Sequence, residues 1–174
     1  MTLLAEKKIL EYEDIDSLPD GFYEIIDGER KDMSPSGFLH GLIEGSLSEI
    51  LKENLSKTGS VATGEIGILI QKNPLRVRGA DIVYITKESY PKPPIGILEK
   101  APELAVEILS PANTTTEMNG KLKDYLAIGI PHIVYVDPEN EMTTVYENNS
   151  FQVFSFEEKF RLFDFEIKMS DLLV

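Results

Sequence analysis

The period of hydrophobic residues changes several times along this chain, and each change marks an element. Glu13 to Pro19 reads as an acidic loop or short helical turn. Phe22-Tyr23-Glu24-Ile25-Ile26 and Glu29 to Met33 flank Asp27-Gly28, a dipeptide that favours a tight turn, so residues 21–33 are expected to form a β-hairpin. Ser34-Pro35-Ser36-Gly37 breaks that pattern. From Phe38 to about Ser56, Leu39, Ile43, Leu47, Ile50 and Leu51 recur at spacings of three and four, the apolar stripe of a helix. Alternation then returns over Val61 to Gln71, with Ile66, Ile68 and Ile70 on one face and Glu65, Gly67, Leu69 and Gln71 on the other.

Asn73-Pro74 is a turn, and Ala80 to Ile85 reads as a short strand that Asp81 all but opens. A loop rich in Pro and Gly leads to Glu103-Leu104-Ala105-Val106-Glu107-Ile108-Leu109. That run is apolar on both faces apart from its two glutamates, as a central, doubly covered strand should be. Hydroxyls at Thr114 to Thr116 can cap a helix that runs to about Ile128, with Met118, Leu122, Tyr125 and Leu126 inward and Gly129 as its stop. His132 to Val136 is a further core strand. Met142 to Phe156 and Phe160 to Ile167 alternate around Asn148-Asn149 as hairpin strands expected to extend the sheet. The order is hairpin, helix, three strands, helix, strand, hairpin, which an α/β sheet flanked by helices satisfies.

Composition narrows the function classes. At 174 residues one domain is expected, and a 42% apolar content is that of a folded protein. No cysteine is present, which removes disulfides and zinc–thiolate sites and fits a reducing compartment. Apolar runs are strand-length, far short of a membrane span, and the first residues are charged where a signal peptide would be apolar, so the expected location is cytoplasmic, with no membrane partner. A net charge of −13 argues against a nucleic acid held by bulk charge. Residues 57–100 run the other way: Lys57, Lys72, Arg76, Arg78, Lys87, Lys92 and Lys100 outnumber Glu65, Asp81, Glu88 and Glu99. They are either solvated surface charges or a cationic rim beside an acidic pocket.

Glu107 stands out because a lone carboxylate in an apolar strand costs several kcal/mol unless it is paired or bound to metal. With Asp81 on another core strand it would suit a hard cation such as Mg2+, which binds through one or two carboxylates and keeps waters. A structural ion pair for Glu107 accounts for the pattern equally well. His40 and Glu44, four apart on the first helix, lie within and at the edge of its apolar stripe, where a histidine is more often a satisfied core residue than a catalyst. Asp27 reads as turn chemistry, and Glu24 has no assigned role.

Several short motifs occur in a telling order. They are Tyr23-Glu24-Ile25-Ile26-Asp27-Gly28-Glu29, Met33-Ser34-Pro35, His40-Gly41, Gly64-Glu65-Ile66-Gly67, Arg78-Gly79-Ala80-Asp81-Ile82, Glu107-Ile108-Leu109-Ser110-Pro111, Lys121-Leu122-Lys123-Asp124-Tyr125, Gly129-Ile130-Pro131-His132 and Val136-Asp137-Pro138. Together they resemble the Uma-two family of restriction endonucleases over roughly Leu18 to Leu173. The resemblance implies a restriction-endonuclease-like mixed sheet, the PD-(D/E)XK nuclease core, over about 38–137, with hairpins at 21–33 and about 142–167. Within that pattern Asp81 and Glu107 match the metal-binding acids, and Lys121 matches a lysine on the following helix. Ala80 replaces the motif's proline, and Leu109 stands where the motif has lysine, so the lysine has to come from elsewhere. On helical geometry Lys121 and Lys123 are both flank positions; the resemblance favours Lys121. Glu65 matches a recurrent family glutamate.

The implied function is a Mg2+-dependent endonuclease, with Mn2+ as a substitute, acting on DNA phosphodiesters. Asp81 and Glu107 would bind metal, and Lys121 would stabilise the transition state or assist water activation. Glu65, His40 and Glu44 are additional candidates. A homodimer would let a bare core grip a duplex. The alternatives are a nuclease-like binding or regulatory module with little or no catalysis, and a hydrolase for another phosphate-bearing substrate.

Overall fold

The computed structural model describes residues 8–19 and 21–173. A 3-10 turn over Tyr12–Ser17 precedes the hairpin of β1 (Tyr23–Ile26) and β2 (Glu29–Asp32). Asp27 and Gly28 both take positive φ there, as a tight hairpin turn requires, and a Cβ on Gly28 would lie 2.9 Å from the backbone of Leu10. Helix α1 (Phe38–Leu55) follows, then β3 (Gly59–Gln71), β4 (Arg76–Thr86) and β5 (Leu104–Ile108). Helix α2 (Thr115–Ala127) leads to β6 (His132–Asp137), β7 (Met142–Glu147), β8 (Ser150–Ser155), β9 (Lys159–Leu162) and β10 (Phe165–Lys168).

An eight-stranded sheet runs β2-β1-β4-β5-β6-β7-β8, with β3 also paired to β4. Among the strands of the described residues only β5 and β6 pair in parallel, and α2 makes the crossover between them. On one face Ile43, Leu47, Leu51 and Leu55 of α1 pack on Ile82, Tyr84, Leu104 and Val106. On the other, Tyr125 of α2 packs with Val83, Ala105, Ile133 and Tyr135. Strand β5 is buried throughout, as its doubly apolar pattern requires. Helix α2 begins in a capping box: Thr114 accepts from the N–H of Glu117 while the Glu117 carboxylate accepts from the N–H of Thr114. Among the described residues no helix is long and apolar enough to cross a membrane.

Four expectations change. Strand β4 starts at Arg76, so Asp81 lies in its middle and does not open it. Leu39 is 46% exposed, because the first turn of α1 borders a cleft and not the core. Leu126 is exposed too; α2 is rotated so that Asp124 and Tyr125 are its buried residues. Finally, Phe160 to Ile167 does not extend the main sheet. Strands β9 and β10 pair with each other, and Phe160, Leu162 and Ile167 complete the core on the α1 side.

Candidate active site

The site is built around a gap in the pairing of β4. Strand β3 pairs with β4 from Gln71↔Arg76 to Gly59↔Thr86 and so occupies one whole edge. The other edge is shared: β1 pairs at Val77, and β5 pairs from Ile82 to Tyr84. Arg78, Gly79, Ala80 and Asp81 lie between them with no strand alongside. Buried backbone groups there still need partners, and side chains supply them. Glu24 of β1 accepts from the N–H of Gly79 (3.2 Å), and the Tyr125 hydroxyl donates to the carbonyl of Gly79 (3.0 Å). One step past the last β4–β5 pair, Asp81 Oδ2 accepts from the N–H of Ile108 (2.6 Å), so a carboxylate takes the place of a ladder carbonyl.

Asp81, Glu107, Lys121, Glu65 and His40 all border one cleft of about 470 Å3 at this gap. Lys121 Nζ lies 2.6 Å from Glu107 Oε2 and 3.4 Å from Glu24 Oε1. The Tyr125 hydroxyl also lies 2.5 Å from Glu107 Oε1, so its single proton is shared between that carboxylate and the Gly79 carbonyl. His40 Nε2 lies 3.2 Å from Asp81 Oδ1, so this histidine is partnered by a site carboxylate as well as packed. Glu44 stands behind it, 3.9 Å from His40 Nδ1, and does not border the cleft. Lys123 points to solvent, which separates two lysines that helical geometry alone left equivalent.

Glu65 reaches the site through a β-bulge. The β3–β4 register shifts between Thr63 and Ile66, and Gly64 and Glu65 both have positive φ (95° and 57°). Such a conformation at a glutamate costs of order 1 kcal/mol and re-aims its side chain. The carboxylate lies over Gly79, whose absent Cβ would sit 2.5 Å from Glu65 Oε2. That oxygen is buried without a hydrogen-bond partner.

Glu24, Arg78, Asp124 and Tyr125 belong to the site although the sequence alone does not mark them as its residues. Glu24 is 6% exposed and bonds Arg78 (2.8 Å); Arg78 bonds Asp124 (2.7 Å), which also takes Arg76 (2.7 Å), and Arg76 pairs with Asp27. Tyr125 was expected as core alone. An acid inside the apolar run Phe22 to Ile26 is the signal that could have flagged Glu24, by the reasoning that singled out Glu107. The cationic rim is not assembled from residues 57–100. Arg76 and Arg78 are consumed by internal carboxylates, Lys72 and Lys100 lie over Tyr12 and Tyr90, and Lys87 bonds the carbonyl of Lys57. The cations bordering the cleft are Lys31, Arg78 and Lys121.

Residues 9–166 match the model of Uma2, whose description reads "Putative restriction endonuclease". The chain belongs to the Uma2 family. Among solved structures it is similar to a protein of Anabaena variabilis described as "a putative nuclease belonging to DUF820". The TM-score is 0.80 at 17% identity, over 94% of this chain and 97% of that one. No curated protein matches it. The structural likeness is one of fold, and it makes this Uma2 chain a restriction-endonuclease-like α/β protein with a mostly antiparallel central sheet, as the motif order implied.

The electrostatics of the Uma2 cleft are those of acids in want of a cation. Burial pushes the Glu107 carboxyl up, Lys121 opposes the shift and the charge of Asp81 adds to it. Burial likewise pushes Glu65 up to about 7. For Lys121, burial acts downward, but Glu107 and Glu24 more than offset it and hold the ammonium above its usual range. The bond to Asp81 raises His40 against its burial.

Asp81, Glu65 and Glu107 offer hard oxygen donors, and the partnerless Glu65 oxygen fits a cation or its water. No cluster of three or more His, Cys, Asp or Glu is arranged as a metal cage among the described residues. A Mg2+-type ion held by one or two carboxylates with several waters does not need one, so the donor set fits that class of ion and no structural metal.

Glu65→Gln gives a pH test. The folded-state pKa of Glu65 near 7 exceeds the ordinary value of 4.5. Its contribution to stability is therefore complete below about pH 4.5 and lost as pH rises through about 7. In metal-free buffer the glutamine variant is expected to match the parent at pH 4 and to exceed it by about 3 kcal/mol at pH 8, measured by urea unfolding.

Proposed function

We propose that this Uma2 chain is a metal-dependent endonuclease that hydrolyses DNA phosphodiester bonds. In this reading Asp81 and Glu107 bind Mg2+, with Mn2+ able to substitute, and Lys121 stabilises charge in the transition state. The observation that carries the reading is the meeting of two buried acids and a partly buried ammonium at the gap in β4's pairing, where a cleft opens to solvent. A divalent ion so held lowers the pKa of its water and neutralises charge on a phosphate.

The chain's own residues do the rest. Asp81 is fixed by the Ile108 N–H and by His40, so its carboxylate is preorganised. Nε2 carries the shared His40 proton in this arrangement, which makes His40 a positioning residue for Asp81. Lys121 stays protonated, because its pKa is held up, so it acts through its charge on a non-bridging phosphate oxygen and does not deprotonate water. Tyr125 and Glu24 steady Glu107 and Lys121 respectively. In the absence of substrate Lys121 also limits the cost of burying Glu107.

The test is incubation of purified protein with supercoiled plasmid in Mg2+, Mn2+ or EDTA, beside Asp81→Ala and Glu107→Ala. Nicking or linearisation is expected with either metal, absent in EDTA and reduced at least 10³-fold in both variants. Cleavage that persists in both variants would remove these acids from the mechanism. No cleavage under any metal would favour a nuclease-like binding module.

A further inference from the structure

Beside the catalytic cleft lies a second one of about 470 Å3, within the range that holds a small organic group. It is bounded by the first turns of α1 and α2 and by the β6–β7 turn, and His40, Leu109, Pro111 and Met118 are walls of both clefts. We propose that this second cleft receives a nucleobase unstacked from the strand being cut, so that the preferred substrate is single-stranded or helix-distorted DNA. This rests on the nuclease reading above and deepens it.

Three observations converge. The walls are mainly apolar: Phe38, Leu39, Leu109, Pro111, Met118 and Pro138. Leu109, two residues after Glu107, is a wall of both clefts and makes the shared wall apolar. The polar side chains present are largely committed to their own loops. Asp137 accepts from the N–H groups of Glu139 and Asn140 and from the Asn140 side chain, and Asn113 accepts from Ser110. Such a lining suits the face of any base and not the hydrogen-bonded edge of one.

Phe38, the first residue of α1, is 88% exposed at this cleft. An aromatic ring presented to water beside a phosphate-processing site is a stacking platform. Electrostatics leave little alternative. The chain carries −13, and the cations at the catalytic cleft are all paired: Lys31 with Glu117 at the surface, Arg78 with the buried Glu24 and Asp124, and Lys121 with the buried Glu107. A continuous duplex gripped through its phosphates would need free cations in number. A base buried against Phe38 supplies affinity without them.

The test compares cleavage in Mg2+ of a single-stranded oligonucleotide, a duplex with one mispaired base and the matched duplex, by the parent protein and Phe38→Ala. A chain of abasic tetrahydrofuran phosphodiesters serves as a substrate without bases or any other aromatic ring. The first two substrates are expected to be cut at least ten-fold faster than the matched duplex. Phe38→Ala should erase that preference and leave the rate on the base-free diester unchanged. Equal rates on all three, or equal loss on every substrate in the variant, would overturn the proposal. If the parent cleaves nothing, the nuclease reading fails by itself, and fluorescence anisotropy of the same labelled oligonucleotides in metal-free buffer still decides about the cleft. Single strand bound more tightly than matched duplex, and about ten-fold more weakly by Phe38→Ala, supports it; indifference to either change overturns it.

Discussion

Lys121→Met is expected to lower plasmid cleavage by about 10²- to 10³-fold, the usual cost of removing one preorganised group aimed at developing charge. Methionine keeps much of the aliphatic stem and removes the ammonium. Lys121 is anchored 2.6 Å from Glu107 and 3.4 Å from Glu24, so its charge is held in one fixed place. The loss should appear in kcat, because the charge being stabilised develops only in the transition state.

Stability should suffer less than activity. Without the ammonium, Glu107 can take up a proton, the direction in which its burial already pushes it, and Tyr125 still bonds it. Lys121→Met combined with Glu107→Gln should therefore restore unfolding midpoints without restoring cleavage. An unchanged kcat in Lys121→Met would show that the lysine serves only to neutralise Glu107. Circular dichroism melts beside the kinetics separate the two roles.

Arg78→Met should have the larger effect on stability. Arg78 is 6% exposed and holds Glu24 at 2.8 Å and Asp124 at 2.7 Å, both themselves buried. Intact buried ion pairs add little net stability, but removing one partner leaves charges stranded at a cost of about 3–5 kcal/mol. For a chain of this length that lowers Tm by about 10 °C. Arg76→Met is the control: its side chain is partly exposed, and Asp124 keeps Arg78, so a smaller loss is expected. Equal losses in the two variants would mean that the pairing, and not its burial, sets the cost. Glu24 also touches Lys121, so Arg78→Met should slow cleavage as well, even below its melting temperature.

These residues also show what the sequence made legible and what it did not. Local signals were sufficient for the Asp27-Gly28 hairpin, for α1, for the doubly apolar β5 and for the Thr114 cap of α2, because each depends on neighbours within a few positions. Strand β4 was read short because Arg76-Val77-Arg78-Gly79 looks like a charged turn. Arg78 can be buried only because Glu24 and Asp124 arrive from about fifty residues away in either direction. The same long-range pairing hid Glu24 and emptied the supposed cationic rim. Alternation placed Glu65 on a strand but could not show the bulge, since only Gly64 advertises a positive φ. Asp81 and Glu107 were recognisable as acids among apolar neighbours. Their juxtaposition, and the choice of Lys121 over Lys123, needed the motif order first and the three-dimensional arrangement second.

The central claim is that Asp81 and Glu107 together hold a divalent ion. Titration of Mn2+ into the protein, followed by electron paramagnetic resonance of the free ion, measures this without reference to any substrate. The parent is expected to bind Mn2+ in competition with Mg2+, with affinity at least ten-fold weaker in Asp81→Asn and in Glu107→Gln and undiminished in Phe38→Ala. Mn2+ bound equally well by the parent and both acid variants would contradict it.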